Sequence, residues 1–232
     1  MIDSKSLTAS SLAKLIDQTY LKHHVTQDEI KKKCEEAISY QFKTFVVNTG
    51  MISFCKEILE GTGVLIDTGI SFPLGQSTIK TKVFETIDAI EEGADEADYV
   101  CNIVKVKSAD WRYIEEEMKQ IVEVCKERNV VSKVIFENCY LNDDEIKHLC
   151  EISSKIKPDF IKTSTGCGPG GATVKDVVTM RTYTDKSVKV KAAGGIQTLQ
   201  SVLDLIEAGA ERIGASKGVE IVEEFKNKGL LL

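Results

Sequence analysis

The 232-residue sequence has few of the features that mark metal-binding, secreted or membrane proteins. Its seven cysteines form no Cys-x-x-Cys pair, and its three histidines have no cysteines at ligand spacing, so we expect no zinc or other metal site. Met1–Ser11 is polar rather than signal-like. No apolar run approaches the roughly 18 residues of a membrane helix. We therefore expect a soluble cytoplasmic protein, because free cysteines persist in a reducing compartment.

Motifs for nucleotides and for the common hydrolases are also missing. The sequence has no GxxxxGK[ST] loop, no GxGxxG turn after its first apolar run and no Ser/His/Asp set,. A net charge of −6 offers no attraction to nucleic acids or anionic membranes. What remains is an ordinary hydrophobic content of 42 % in a chain long enough for one large α/β domain, residues 1–232.

Short apolar runs alternate with amphipathic runs along the whole chain. The predicted strands are Ile16–Leu21, Thr44–Asn48, Val64–Phe72, Asp95–Ile103, Val130–Glu137, Asp159–Ser164, Val188–Ala193 and Arg212–Ser216. The predicted helices are Leu7–Leu15, Thr26–Tyr40, Ile52–Leu59, Thr78–Glu92, Asp110–Arg128, Asp143–Lys155, Val174–Thr182, Leu199–Ala208 and Val219–Phe225.

Eight strand–helix units indicate a parallel sheet. In a chain of this length they predict an α/β fold of the closed (β/α)₈ type, a TIM barrel, with a short extra N-terminal helix. The alternative is an open doubly wound sheet, which would be expected to carry a glycine-rich turn after its first strand. That turn is absent, so we favour the barrel.

Two lysines interrupt apolar strands in an unusual way. Lys162 lies in Asp159–Ser164 and leads into Thr163-Ser164-Thr165-Gly166, and Lys191 lies in the next strand before Ala192-Ala193-Gly194-Gly195. An unpaired buried ammonium is costly, so such a group either pairs or loses its proton. Two lysines on successive strands would lower each other's pKa, which is one way to make an amine nucleophile.

Other ionisable residues lie in predicted strands as well. Asp98 lies between Ala97 and Tyr99 in the fourth predicted strand, and Asp17 follows Ile16 in the first. For Lys133, Lys189 and Glu137 we favour a structural interpretation, either as satisfied interior ion pairs or as outward-pointing side chains.

The last two predicted strands end in glycine-rich turns. Gly194-Gly195 follows the seventh strand, and Gly214-Ala215-Ser216-Lys217-Gly218 follows the eighth. In such barrels these two loops often hold phosphate, because glycines allow close backbone approach and helix N-terminal amides donate hydrogen bonds. The pattern predicts a phosphate site.

The motifs as a set resemble the deoxyribose-phosphate aldolase family along nearly the whole chain. The stretches that carry the resemblance are Ile16–Lys22, Phe72–Gly75, Gly93–Asp98, Phe160–Gly166, Lys191–Ile196 and Arg212–Ser216. The combination of Lys-Thr-Ser-Thr-Gly with Lys-Ala-x-Gly-Gly is specific, whereas either motif alone would be weaker.

This resemblance implies a class I aldolase without metal or other cofactor, and an enzyme of deoxyribose catabolism. It would reversibly cleave 2-deoxy-D-ribose 5-phosphate to acetaldehyde and D-glyceraldehyde 3-phosphate. The resemblance assigns the Schiff base to Lys162, the neighbouring cation to Lys191 and the proton relay to Asp98. It further implies that Asp17 anchors Lys191 at the substrate site, and that the substrate and its phosphate are lined by Thr165, Gly166, Gly194, Gly195, Gly214 and Ser216. A homodimer is the expected assembly.

The sequence departs from the family pattern at several positions. Asp67 and Ser71 place polar groups in a third strand that is normally more apolar, and Gln197, Lys217, Cys167, Asn138 and Thr49 also differ. Two other functions are compatible with the residues: a phosphate-binding barrel with different Schiff-base or isomerase chemistry, and a non-catalytic metabolite-binding barrel.

Overall fold

Eight parallel strands close into a barrel in the computed structural model, which describes residue 2 and residues 4–228. The strands are β1 (Ile16–Thr19), β2 (Thr44–Val47), β3 (Leu65–Ile70), β4 (Glu96–Val100), β5 (Val131–Ile135), β6 (Phe160–Lys162), β7 (Lys189–Ala193) and β8 (Arg212–Ala215). They pair in chain order, and β8 closes on β1. The predicted barrel is therefore confirmed. Met1, Asp3 and residues 229–232 of the predicted domain lie outside the described residues.

Helices connect the strands and cover the barrel from outside. They are α1 (Ala9–Ala13), α2 (Gln27–Tyr40), α3 (Ile52–Leu59), α4 (Ile79–Glu91), α5 (Ile103–Lys107), α6 (Trp111–Glu127), α7 (Asp143–Ile156), α8 (Val174–Tyr183), α9 (Leu199–Glu207) and α10 (Gly218–Asn227). The short helix α1 precedes β1, as predicted. Within residue 2 and residues 4–228, no helix combines the length and hydrophobicity needed to cross a bilayer.

The sequence sets several of the helix ends by capping. Thr26 precedes α2, its side chain accepts from the N–H of Glu29, and the Glu29 carboxylate accepts from the Thr26 N–H. This is the capping box that the Thr-x-x-Glu spacing indicates. Asn142 and Glu145 form the same arrangement at the start of α7.

The predicted fourth strand, Asp95–Ile103, is too long. Strand β4 ends at Val100, and Asn102 caps α5 by accepting from the Lys105 N–H at 3.2 Å. The run from Ile103 to Lys107 is rich in β-branched residues and reads as strand by propensity, but an asparagine cap starts a helix there.

The strand register places charged side chains inside the barrel. Lys162 lies opposite Lys191, and Asp98 lies opposite Lys133 on one side and Gly69 on the other. The hydrophobic core lies mainly between the barrel and the helices and includes Phe45, Tyr99 and Phe136. The interior of such barrels is commonly filled by branched apolar side chains, whereas this one contains acids and bases.

Candidate active site

Lys162 and Lys191 come together as the sequence predicts. They lie in register on β6 and β7, and both point into the barrel, with exposures of 4 % and 0 %. Both ammonium nitrogens bind the same atom, Oδ2 of Asp98, at 2.6 Å for Lys162 and 2.7 Å for Lys191. One carboxylate oxygen therefore links the two amines, and neither amine lies free in solvent.

Asp98 binds a third lysine through its other oxygen. Oδ1 accepts a hydrogen bond from Lys133 at 2.5 Å. Burial alone would raise the pKa of Asp98, but the charges of Lys133, Lys162 and Lys191 outweigh it and hold that pKa well below the usual value,. The carboxyl of Asp98 is therefore ionised at neutral pH.

Lys191 is surrounded by carboxylates. Its nitrogen lies 2.6 Å from Asp17, 2.9 Å from Asp67 and 2.7 Å from Asp98. Burial would lower the pKa of Lys191, but the three negative charges outweigh burial and raise it,. Lys191 therefore remains a cation, and Asp17 contacts it as the sequence resemblance implies.

Lys162 differs from Lys191 because, within residue 2 and residues 4–228, only one carboxylate, that of Asp98, contacts it. Its pKa is lowered, chiefly because the side chain is buried. Asp98 opposes this shift, and the positive charge of Lys191 adds to it,. The neighbouring cation contributes, but burial is the larger cause, because only 4 % of Lys162 is exposed. Of the two lysines, Lys162 is the one that loses its proton more readily.

The two lysines belong to a set of eight ionisable groups that we call the interior charge cluster. Lys133 lies 2.9 Å from Asp67 and 2.8 Å from Glu96, and Arg212 lies 2.7 Å from Asp17 and 3.1 Å from Glu96. The cluster holds four acids and four bases: Asp17, Asp67, Glu96, Asp98, Lys133, Lys162, Lys191 and Arg212. Lys133 is a satisfied interior ion pair, as expected from the sequence, whereas Lys189 is exposed and lies over the ring of Phe160.

Three carboxylates of the cluster lie close enough to hold a metal ion. One oxygen each from Asp17, Asp67 and Glu96 falls within 4.8 Å of the others. The nitrogens of Lys133, Lys191 and Arg212 already contact these carboxylates at 2.6–3.1 Å. Since these cations supply the positive charge there, the donor set fits ion pairing better than a metal.

A cavity of about 370 Å³ opens above Lys162 at the C-terminal ends of the strands. Its wall contains Lys162 and all six glycine, serine and threonine positions predicted for substrate or phosphate: Thr165, Gly166, Gly194, Gly195, Gly214 and Ser216. Asp17, Asp98 and Lys191 are not part of this wall and lie beneath it, almost fully buried. Asp17 was predicted among the substrate-binding residues. The structure places it under the cavity, where it binds Lys191 and Arg212.

The loops after β7 and β8 shape one end of this cavity. Gly194 and Gly195 have φ of 89° and 72°, which side-chain-bearing residues rarely adopt,. A side chain at Gly194 would also press on Ser164 and Gly166 at 3.2–3.3 Å. The loop after β8 is tied to β1, because Gln18 accepts from the Gly218 N–H at 3.1 Å.

A second carboxylate fixes the loop after β6. Glu137 has φ of 56° and is buried, and its oxygens accept hydrogen bonds from the N–H and the hydroxyl of Thr165. Glu137 therefore positions one wall of the cavity. Its role is structural, but it acts through hydrogen bonds to Thr165 and not as the interior ion pair or outward-pointing side chain expected from the sequence.

Comparison with known proteins decides the family. A sequence model described as DeoC/LacD family aldolase matches residues 11–224. The chain belongs to this family. It is an aldolase, a carbon–carbon lyase, and the predicted resemblance is confirmed.

Relatives of this aldolase match it over nearly full length. The chain is 50 % identical over 219 residues to a deoxyribose-phosphate aldolase of Lactobacillus acidophilus, covering 94 % of this chain and 92 % of that one. A crystal structure of a putative deoxyribose-phosphate aldolase from Coccidioides immitis superposes with a TM-score of 0.90 at 34 % identity, covering 95 % and 87 % of the two chains. A tetrameric deoxyribose phosphate aldolase from Aeropyrum pernix gives 0.88 at 30 % identity, covering 95 % and 93 %.

The aldolase has a second, more apolar cavity of about 400 Å³ beside the first. Ile103 and Val104 of α5 form part of its wall, and Thr165 and Cys167 are shared by both cavities. Sequence reasoning missed this cavity because it missed α5. The buried lysine lines only the first cavity, so we assign the chemistry there.

Proposed function

We propose that this aldolase reversibly cleaves 2-deoxy-D-ribose 5-phosphate to acetaldehyde and D-glyceraldehyde 3-phosphate through a Schiff base on Lys162. The proposal is carried by Lys162, a buried lysine with a lowered pKa on the wall of a cavity. Its amine hydrogen-bonds to the carboxylate of Asp98, which the protonated Lys191 also binds. The names and near-complete coverage of the relatives support this substrate.

The first step needs the uncharged amine of Lys162. An ordinary lysine, with a pKa near 10.4, is about 0.04 % neutral at pH 7, and each unit by which its pKa is lowered gains about 1.4 kcal/mol toward the reactive form. Burial and the charge of Lys191 both act in this direction. The amine attacks the C1 aldehyde of the open-chain sugar and forms a carbinolamine. Loss of water then leaves an iminium.

The second step breaks the C2–C3 bond. The C3 hydroxyl loses its proton, and the bonding electrons move into the iminium to give an enamine, while C3 becomes the aldehyde of glyceraldehyde 3-phosphate. Protonation of the enamine at C2 and hydrolysis of the iminium release acetaldehyde and restore the lysine. Asp98 and Lys191 move protons on and off the lysine nitrogen, because Asp98 lies 2.6 Å from it and 2.7 Å from Lys191,.

The phosphate of the substrate would bind at the glycine-rich end of the cavity. Gly194, Gly195 and Gly214 leave room for its oxygens, and Ser216 is exposed at the start of the turn into α10. The N-terminus of a ten-residue helix adds a favourable dipole,.

Trapping with borohydride tests the Schiff base. We expect acetaldehyde followed by borohydride to add one ethyl group to Lys162, found by mass spectrometry in a peptide that spans Phe160–Gly166. Lys191 serves as the internal control, because its raised pKa keeps it protonated and it should stay unmodified. Ethylation at Lys191 with none at Lys162 would reverse the assignment of the two roles. Trapping of another carbonyl compound and not of acetaldehyde would favour different Schiff-base chemistry.

A charge placed at Ser216 tests the phosphate site. We expect Ser216→Asp to raise the KM for 2-deoxy-D-ribose 5-phosphate by roughly 10- to 100-fold, because a carboxylate a few ångströms from a phosphate repels it. Ser216→Asn introduces a side chain of the same size as aspartate but without the charge, and it should leave the KM within a few-fold of that of the original enzyme. Ethylation of Lys162 by acetaldehyde should be unchanged in both variants, since acetaldehyde carries no phosphate. Equal KM values for the two variants would place the phosphate elsewhere.

We further propose that residues 1–232 form one domain that acts in the cytoplasm as a homodimer. All seven cysteines are unpaired, and five of them are buried, as is usual in a reducing compartment. Large hydrophobic side chains such as Leu74 and Phe84 are exposed at 71 % and 69 %, which supports a contact with a second copy.

A further inference from the structure

The proton that leaves Lys162 has no obvious acceptor among its immediate partners. Asp98 is held in its ionised form, and Lys191 already carries its proton. The interior charge cluster contains four acids and four bases, so neutral Lys162 would leave one buried negative charge without compensation. Such a charge is costly in a dry interior, and a carboxylate of the cluster that took up a proton would remove the cost.

Asp67 is the carboxylate best placed to take that proton. Its Oδ1 is buried and has no hydrogen-bond partner in the described part of the chain. By contrast, Asp98 binds lysines through both oxygens at 2.5–2.7 Å, and each oxygen of Asp17 has a cation within 2.7 Å. Both oxygens of Glu96 accept from Arg212. Oδ2 of Asp17 also accepts no hydrogen bond, but Lys191 lies 2.6 Å from it. Among these four acids, Oδ1 of Asp67 is therefore the oxygen most open to a proton.

A continuous set of short contacts connects Asp67 to Lys162. Lys162 lies 2.6 Å from Oδ2 of Asp98, the same oxygen lies 2.7 Å from Lys191, and Lys191 lies 2.9 Å from Oδ2 of Asp67. A proton can therefore pass from Lys162 to Asp98 while Asp98 passes one to Lys191 and Lys191 passes one to Oδ2 of Asp67. The carboxyl of Asp67 then turns, so that the protonated oxygen takes the position without a partner. No step requires water from the cavity.

We propose that Asp67 stores the proton that Lys162 gives up, so that the barrel interior stays electrically balanced while the amine is neutral. The exchange converts Lys162–NH₃⁺ and Asp67–COO⁻ into Lys162–NH₂ and Asp67–COOH. This role rests on the proposed Schiff-base function. Asp67 acts through Asp98 and Lys191 and is a positioning residue for charge, not a group that touches the substrate.

The stored proton is used when water leaves the carbinolamine. Lys162–NH₂, the aldehyde and Asp67–COOH give the iminium, one water and Asp67–COO⁻, so atoms and charge balance. The iminium is again a cation in the place of the lysine ammonium, and the cluster returns to four negative and four positive charges. The proton moves back along the contacts through Lys191 and Asp98.

The groups that face Asp67 come from five strands. They are Asp17, Glu96, Asp98, Lys133, Lys162 and Lys191. The pKa of Asp67 is raised to about 6, because burial and the charges of Asp98 and Asp17 together outweigh the opposing charges of Lys133 and Lys191. The pKa values of Asp98 and Asp17 are lowered instead.

Carbon-13 NMR of labelled aspartate carboxyls tests directly whether Asp67 stores the proton. Lys162→Met imitates the neutral amine and removes a positive charge that favours ionised Asp67. We therefore expect the pKa of Asp67 to rise by about one unit or more in this variant, while Asp98 stays ionised. The spectrum of Asp67→Asn identifies the signal. Lys189→Met removes an exposed lysine from the same strand as Lys191 and should leave the signal of Asp67 where it is.

Two results would overturn the proposed proton storage on Asp67: an unchanged pKa of Asp67 in Lys162→Met, or protonation of Asp98 instead of Asp67. Borohydride trapping separates this from the function itself. If Lys162 is ethylated but the pKa of Asp67 does not change in Lys162→Met, only the proposed proton storage is overturned and the Schiff-base function stands. Absence of ethylation at Lys162 in the unmodified enzyme overturns the proposed function and, with it, this role of Asp67.

Discussion

Replacing Lys162 by methionine is expected to lower kcat for cleavage of 2-deoxy-D-ribose 5-phosphate by about 10⁴- to 10⁶-fold, the range found when a covalent nucleophile is removed. Methionine has a similar length and no amine, so the iminium cannot form. Within the described residues, the other lysines of the charge cluster, Lys133 and Lys191, are both held protonated by carboxylates. Neither can substitute for the missing amine.

The same change should not unfold the barrel. Asp98 keeps its contacts with Lys133 and Lys191. The pKa of Lys162 is lower in the folded than in the unfolded chain, so its charge opposes folding below the folded-state pKa. This penalty decreases as the pH rises from the folded-state pKa to the unfolded-state pKa. We expect the thermal midpoint of Lys162→Met to equal or exceed that of the original chain.

Steady-state cleavage and thermal unfolding, measured on one preparation, check both statements. Lys189→Met is the matched control, because Lys189 points outward from the neighbouring strand and is exposed. It should retain full activity. Cleavage by Lys162→Met within tenfold of the original rate would mean that another group forms the bond to the substrate.

The alternation of apolar and amphipathic runs was sufficient to predict the barrel, but not the ends of its strands. The predicted fifth strand, Val130–Glu137, ends at Ile135 in the structure. Glu137 adopts a left-handed backbone conformation in order to reach Thr165. Such a contact depends on a residue 28 positions away, so local sequence pattern does not reveal it.

Lys162, Lys191 and Asp98 could be singled out from the sequence because each interrupts an apolar strand, whereas the roles predicted for them came from the family resemblance. Successive parallel strands also place the two lysines side by side. The rest of the cluster was harder to predict. Lys191 and Asp67 are 124 positions apart, and their contact depends on how the strands tilt and close, which a single sequence does not state.

The balance between burial and neighbouring charge was also beyond the sequence. Lys133, Lys162 and Lys191 each interrupt an apolar strand, yet the pKa of Lys133 and Lys191 is raised and that of Lys162 is lowered. The difference lies in the number of carboxylates at contact distance: three for Lys133 and for Lys191, and one for Lys162. Only coordinates provide such a count.

Lys191 is expected to give the second largest effect, and its variants separate charge from proton transfer. In Lys191→Met the positive neighbour of Lys162 is lost, so the pKa of Lys162 should rise by about one to two units. We expect kcat at neutral pH to fall by about 10²- to 10⁴-fold, the range for loss of a general acid–base group. The rate of imine formation falls as the pH is lowered, and in this variant the fall (the acid limb of the pH profile) should occur at higher pH. The rate should recover in part in alkaline buffer.

Stability should fall as well in Lys191→Met, because Asp17, Asp67 and Asp98 lose a shared cation. The loss of one partner from a buried ion pair costs about 3–5 kcal/mol. The deficit should shrink as the pH falls, since protonation of the carboxylates removes the uncompensated charge. Denaturant unfolding at several pH values measures this dependence.

Lys191→Arg keeps the positive charge but holds its protons too tightly to pass them on. We expect this variant to retain the original pH dependence of imine formation, measured by borohydride trapping at Lys162, while cleavage stays slow. If Lys191→Met and Lys191→Arg moved the acid limb equally, the charge of Lys191 would not be what lowers the pKa of Lys162. If Lys191→Arg cleaved substrate at the original rate, proton transfer through Lys191 would be excluded. The two variants therefore test separately the two contributions that a lysine makes at this position: a fixed positive charge and a transferable proton.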